Sequence, residues 1–162
     1  MKYIITEQQY RFLTEDEDRK ILKLPGVEYF GSWEVLQKFL DKRGNSPYSI
    51  DGDLDFQETP FDSLKNIVSV SGNLNLMVTP IISLDKLEYV GGNLLLSYST
   101  IENLGNLKEV GSDLFLRRTP IQSLGNLKKV GGDLDLEGTP ISKMYSRDEI
   151  REMIDVGGRI FM

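Results

Sequence analysis

With no histidine and no cysteine among 162 residues, chemistry in this chain falls to carboxylates, lysine, arginine, tyrosine and hydroxyl groups. The commonest acid-base catalyst and metal ligand is thereby missing, and so are disulfides and thiolate ligands. Glu15-Asp16-Glu17-Asp18 is an acidic run. Consecutive residues rarely converge on one ion and no glycine-containing calcium-loop spacing follows, so it reads as a solvated loop. Asp53, Asn73, Asn93, Asp113 and Asp133 recur at one spacing. A calcium β-roll would need a second glycine where Leu134 stands, and mixed Asp and Asn at one place fits side chains that hydrogen-bond adjacent turn backbone. The hydroxyl column Thr59, Thr79, Ser99, Thr119 and Thr139 suggests either an ice-binding face or, more simply, a turn with a stacked hydrogen-bond ladder. Asp135 and Glu137 alternate along one segment without a partner base, and no phosphate-binding glycine loop with a following lysine occurs. No catalytic residue, metal ligand or cofactor is therefore expected. Lys108, Lys128 and Lys129 with Arg117 and Arg118 concentrate positive charge, but a net charge of −6 makes a solvated face the better reading than a nucleic-acid site.

A repeat places these residues. From Gly52 to Ser146 the phrase G-[DN]-L-x-L-x-x-T-P-I-x-S-L-x-x-L-x-x-V-G recurs every 20 residues, starting at Gly52, Gly72, Gly92, Ser112 and Gly132. A strict period this short is the signature of a solenoid, whose coils bury their apolar side only by stacking. Leu74 and Leu76, like their counterparts in each copy, alternate as a strand requires and share a face. Equal offsets predict parallel strands in register about 4.7–4.9 Å apart, in one ribbon. Thr-Pro should end each strand. Beyond it apolar residues fall at every third place, as at Ile81, Leu84, Leu87 and Val90, which fits a 3₁₀ turn or very short helix. The Gly-Gly pairs at 91–92 and 131–132 then allow the bend into the next strand.

What varies between copies is available for recognition. Fourth-place residues (Asp55, Asn75, Leu95, Phe115, Asp135), sixth-place residues (Gln57, Met77, Ser97, Arg117, Glu137) and seventh-place residues (Glu58, Val78, Tyr98, Arg118, Gly138) should form three columns. Stacking puts Met77, Val78, Leu95, Tyr98 and Phe115 together mid-ribbon beside Arg117 and Arg118, with carboxylates at both ends. An exposed apolar and aromatic patch with arginine is the composition of a protein-recognition hot spot. The plainer alternatives are β-formers tolerated on a ribbon, or an N-terminal segment folded across the patch.

The run S-L-x-x-L-x-x-V-G-G-x-L-x-L resembles leucine-rich repeats over 52–146, in particular those of the receptor L-domain-like branch, with Thr or Ser where many such repeats carry asparagine. The resemblance implies an α/β fold, a right-handed solenoid of 20-residue coils with one parallel β-ribbon and helical caps; it says little about activity. MKYIITEQQYRFL followed by such repeats is similar to repeat proteins of large tailed bacteriophages, which implies action on a host or phage protein in the host cytoplasm. The expected function is a non-enzymatic protein-binding module. A structural protein that self-assembles by stacking open coil ends is the alternative, and an enzyme ranks behind both.

Composition and flanks complete the reading. Hydrophobic residues make up 40% and charged residues 27%, an ordinary balance for one soluble domain. No run approaches the ~18 apolar residues of a membrane span. MKYIITEQQY shows neither an extended apolar core nor a cleavage site, so no secretory signal is read there. Residues 1–51 are expected to cap the first coil. Their expected elements are a strand at 2–5, a helix near 6–13, a turn at Leu24-Pro25-Gly26, a short strand of Val27, Tyr29 and Phe30, and a helix near 33–42 capped by Ser32. Trp33, Leu36, Phe39 and Leu40 share a face of that second helix and should pack over the first coil rather than stand free for a partner. Within 147–162, Ser146 and Glu149 form a capping box for a helix near 147–155, with Ile150, Met153 and Ile154 on one face. The next V-G-G arrives six residues late, at 156–158, so Ile160 and Met162 are expected in a sixth strand.

Overall fold

The computed structural model describes residues 14–16 and 21–162, and lays each copy down as one rung of two short strands joined by a glycine corner. Strands β1 (Thr14–Asp16) and β2 (Ile21–Pro25) precede β3 (Tyr48–Asp51) and β4 (Leu54–Asp55). The pair then recurs as β5 (Ile67–Val70) and β6 (Leu74–Asn75), β7 (Tyr89–Val90) and β8 (Leu94–Leu95), β9 (Glu109–Val110) and β10 (Leu114–Phe115), β11 (Lys129–Val130) and β12 (Leu134–Asp135), and finally β13 (Asp155–Val156) and β14 (Ile160–Phe161). One sheet has the order β1-β2-β3-β5-β7-β9-β11-β13 and the other β14-β12-β10-β8-β6-β4. Only β1 with β2 is antiparallel among these pairs. Register follows the repeat: Leu74 faces Leu94, Leu94 faces Leu114 and Leu114 faces Leu134, while Val90 faces Val110 and Val110 faces Val130. The result is an α/β stack of rungs with two parallel sheets, compatible with a repeat solenoid.

The single expected ribbon is thus corrected to two. The x-V segment before each glycine corner is extended as well, and its backbone bonds the neighbouring rung: Gly91 N–H donates to Val70 O at 2.9 Å and Gly111 N–H to Val90 O at 2.8 Å. The 3₁₀ return is also corrected. Each L-x-x-L spans one β-turn, with Leu87 N–H donating to Leu84 O at 3.0 Å and Leu107 N–H to Leu104 O at 3.1 Å. A residue in left-handed backbone sits inside that turn, namely Lys65, Asp85, Gly105 or Gly125. The preceding Ser63, Ser83, Asn103 or Ser123 accepts its N–H, which gives the serine of the repeat a structural role. Spacing of three still turns Ile81, Leu84, Leu87 and Val90 inward, fully buried beside Leu74 and Leu76. Each such side chain contributes roughly 1.5–3 kcal/mol on burial.

At Gly72, Gly92, Gly132 and Gly158 glycine is favoured by proximity rather than by backbone angle, although Ser112 holds a side chain at the equivalent corner. A Cβ at Gly72, Gly92, Gly132 or Gly158 would land on the Oδ1 of Asp53, Asn73, Asp113 or Asp133 from the rung before. Only Gly52 among the corner glycines has a left-handed φ, of 114°.

At the N-terminal end α1 (Trp33–Asp41) starts at Ser32, whose hydroxyl accepts from Val35 N–H at 3.3 Å. Its Leu36 and Leu40 are buried, and Trp33 packs edge-on against Phe56 and Phe61 of the first rung, which stack at 4.0 Å. Val27–Phe30 is a 3₁₀ helix, not a strand. Glu15 and Asp16 lie in β1 rather than in a loop, while Glu17 and Asp18, the strand expected at 2–5 and the helix expected near 6–13 lie outside the described residues. At the other end α2 (Ile141–Met144), which has no sequence expectation behind it, leads into α3 (Arg147–Met153). The capping box closes at Ser146 and Glu149 as its spacing requires, and Ile150 is buried. Met153 points outward, 45% exposed, against the expectation that it shares the buried face. Ile160 pairs with Leu134 in the last rung, so the sixth strand stands where the delayed glycines put it. No helix among the described residues is long and apolar enough to cross a membrane.

Candidate interaction face

The β4-to-β14 sheet carries the variable columns on its outer side. Asn75 faces Leu95, Leu95 faces Phe115, Phe115 faces Asp135 and Asp135 faces Phe161. Leu95 and Phe115, together with Met77 in the next column, are half-buried at the surface. Beyond the strands the ladder continues, with Val78 N–H donating to Ser97 O at 3.2 Å, Tyr98 N–H to Arg117 O at 2.9 Å and Arg118 N–H to Glu137 O at 2.8 Å. Those bonds hold the seventh-place residues in line. Val78 and Tyr98 are each 48% exposed.

Every seventh-place residue adopts left-handed backbone: Glu58 at 54°, Val78 at 57°, Tyr98 at 61°, Arg118 at 54° and Gly138 at 73°. Glycine takes this conformation freely, whereas side chains there, and a β-branched one above all, cost about 1 kcal/mol or more. Four rungs nevertheless present a side chain, three of them at the patch. The Arg118 guanidinium sits 5.8 Å from the centroid of the Tyr98 ring, within cation–π range. The seven residues singled out by sequence fall in adjacent columns of neighbouring rungs.

Arg117 differs from Arg118 in that its guanidinium is paired with Glu137 one rung along. Ser97, expected to face outward, is buried. Phe161 extends the fourth-place column and carries Arg159 above its ring at 5.1 Å. It was readable from the late V-G-G, which fixes Ile160 inward and hence Phe161 outward.

The remaining candidate chemistry is used structurally. Asp53, Asn73, Asn93, Asp113 and Asp133 each accept, through Oδ1, the backbone N–H of the matching residue in the next rung, at 2.7–3.0 Å. The expected bond to the adjacent turn is therefore a bond between rungs, which tolerates Asp and Asn alike because only an acceptor oxygen is needed. The Arg159 backbone N–H, aided by its guanidinium, holds the Asp133 carboxyl below the usual carboxylate range. The hydroxyl column is buried from Thr79 to Thr139, which removes it as a surface lattice, and Thr79, Thr119 and Thr139 donate to the carbonyl three residues back within their own turn. Asp135 Oδ1 accepts from Glu137 N–H at 2.9 Å in a local turn, and the Glu137 carboxylate is paired with Arg117. The basic concentration is largely neutralised, with Lys108 on Glu88 at 2.7 Å and Lys129 on Glu109 at 3.1 Å. Hydrogen bonding to Glu109 also raises the Lys129 pKa.

A shallow polar hollow of about 370 Å³ lies between Asp41, Asn45, Lys65 and Asp85. The Asp85 carboxylate there already accepts from Ser63 Oγ and from the Leu64 and Lys65 N–H groups, so it ties two rungs together. Set against family models, curated proteins and solved structures, the chain finds no match, and the reading of the face rests on its own residues.

Proposed function

We propose that the chain is a non-enzymatic protein-binding module, a right-handed solenoid similar to leucine-rich repeats, whose second to fourth rungs take a protein partner on the outer side of the β4-to-β14 sheet. One observation carries this reading: Val78, Tyr98 and Arg118 hold side chains outward from a backbone conformation that favours glycine, in the same neighbouring rungs as the paired Leu95 and Phe115. Rigid aromatic area with an arginine in cation–π range is the pattern in which binding energy concentrates. The resemblance to phage repeat proteins supports a partner of host or phage origin, met in the host cytoplasm.

The test is capture from a candidate host lysate, identified by mass spectrometry, with wild type run beside Tyr98→Ala and Phe115→Ala. The expected outcome is a partner recovered by wild type and lost, by tenfold or more, from variants that stay folded at the capture temperature. Equal recovery by all three proteins would remove the face from consideration.

A further inference from the structure

A stack of parallel rungs ends in two open sheet edges, and the C-terminal edge is built from β13 and β14. Inside the stack the acceptors at this junction are met by the next rung: Gly157 N–H donates to Val130 O at 2.9 Å and Gly158 N–H to Gly132 O at 2.8 Å. Val156 stands in register with Val130, so in the last rung the equivalent acceptors are Val156 O and Gly158 O. Both are occupied by one side chain. Arg151 donates through Nη1 to Val156 O at 2.7 Å and through Nη2 to Gly158 O at 2.6 Å. In the other sheet Arg147 Nε donates to Ile160 O at 2.8 Å. Two guanidinium groups thus stand where the amides of a further rung would be.

Arginine suits this task because its planar fork meets two acceptors at fixed spacing and never loses its charge. The two arginines are one helical turn apart on α3, whose position is set by the Ser146–Glu149 capping box and by buried Ile150. The six-residue delay in the repeat supplies the room for that turn. Unprotected edges of parallel rungs invite pairing with another chain.

We infer that Arg147 and Arg151 terminate both sheets by substituting for the missing rung, and so block a second copy of this chain from adding edge to edge at its C-terminal end. This is independent of what the outer face binds, and it argues against growth by end stacking at this end.

Sedimentation velocity over a wide concentration range tests it, comparing wild type, the double variant Arg147→Met with Arg151→Met, and Arg147→Lys with Arg151→Lys. Methionine keeps the apolar stem and removes the donors, whereas lysine keeps charge and donor. The expected result is wild type without association through 155–162, the methionine variant approaching twice the monomer mass at high concentration, and the lysine variant, which keeps charge without the two-acceptor fork, between the two. That dimer should show slowed deuterium exchange confined to 155–162. A folded methionine variant that sediments as wild type does, or a wild type that already pairs through 155–162, overturns the inference. Should the methionine variant unfold, nitrogen-15 spectra of wild type decide: exchange-protected Arg147 Nε–H and Arg151 guanidinium protons support the plug, and rapidly exchanging ones remove it.

Discussion

At Ser99 the third rung departs from its neighbours by one methyl group. Thr79, Thr119 and Thr139 each turn a hydroxyl onto the carbonyl three residues back, at 2.6–2.7 Å. Ser99 is just as buried, and its Oγ is left without a partner among the described residues. β-Branching restricts the threonine rotamer and fills the space beside it, and serine lacks both constraints. Ser99→Thr should therefore stabilise the fold by about 1–2 kcal/mol, combining one buried methyl with one recovered hydrogen bond. Thermal unfolding should show it as a rise of roughly 3 °C or more; an unchanged or lower midpoint would mean that the pocket is already filled. The candidate face was legible at this scale because stacking turns a period of 20 into vertical adjacency. Charge pairing was legible in principle too, since Glu88 with Lys108, Glu109 with Lys129 and Arg117 with Glu137 are all opposite charges 20 residues apart. Left-handed backbone at Val78, Tyr98 and Arg118 was not, because none of these residue types advertises it.

Among the elements, the terminal strand β14 shows how one rung is fastened to the next. Its entry residue Arg159 gives its backbone N–H to Asp133 Oδ1 at 2.7 Å, the same bond that Asn73 and Asn93 accept elsewhere in the column without a charge. A carboxyl whose folded pKa is depressed contributes stability above its ordinary range, and that contribution is lost as pH falls through the folded value. Wild type should consequently melt higher than Asp133→Asn near neutrality, and the gap should begin to narrow near about pH 4 and close only once the pH falls below the depressed folded value. Melting curves of both proteins across that interval check it, and a gap independent of pH would sever the link. The Leu-x-Leu strands and the last rung were readable because apolar alternation and glycine position are local signals. The second sheet was missed for the opposite reason: from β7 onward each rung contributes only one inward residue, such as Val90 or Val110, to a two-residue strand, too short for any periodicity to register. The purpose of the corner glycines was misread for a related reason, since the atom that crowds a Cβ at Gly72, Gly92, Gly132 and Gly158 comes from a different rung.

For the molecule as a whole, stability is set by neighbouring rungs and by what closes the ends. Deleting Arg159–Met162 would uncover Leu134 and Leu136, discard buried Ile160 and strip Arg147 of its acceptor. The loss should amount to at least about 2–3 kcal/mol and lower the melting midpoint by roughly 5 °C or more. Unchanged melting of the truncated chain would show that the last rung adds nothing. The Oδ1-to-amide bonds have a further implication. Because Asp53, Asn73, Asn93 and Asp113 hand on the same contact to the following rung, an extra copy spliced between two existing ones would meet, above and below, the surfaces it was made to fit. The stack is accordingly open to lengthening or shortening by whole units while both ends stay as they are.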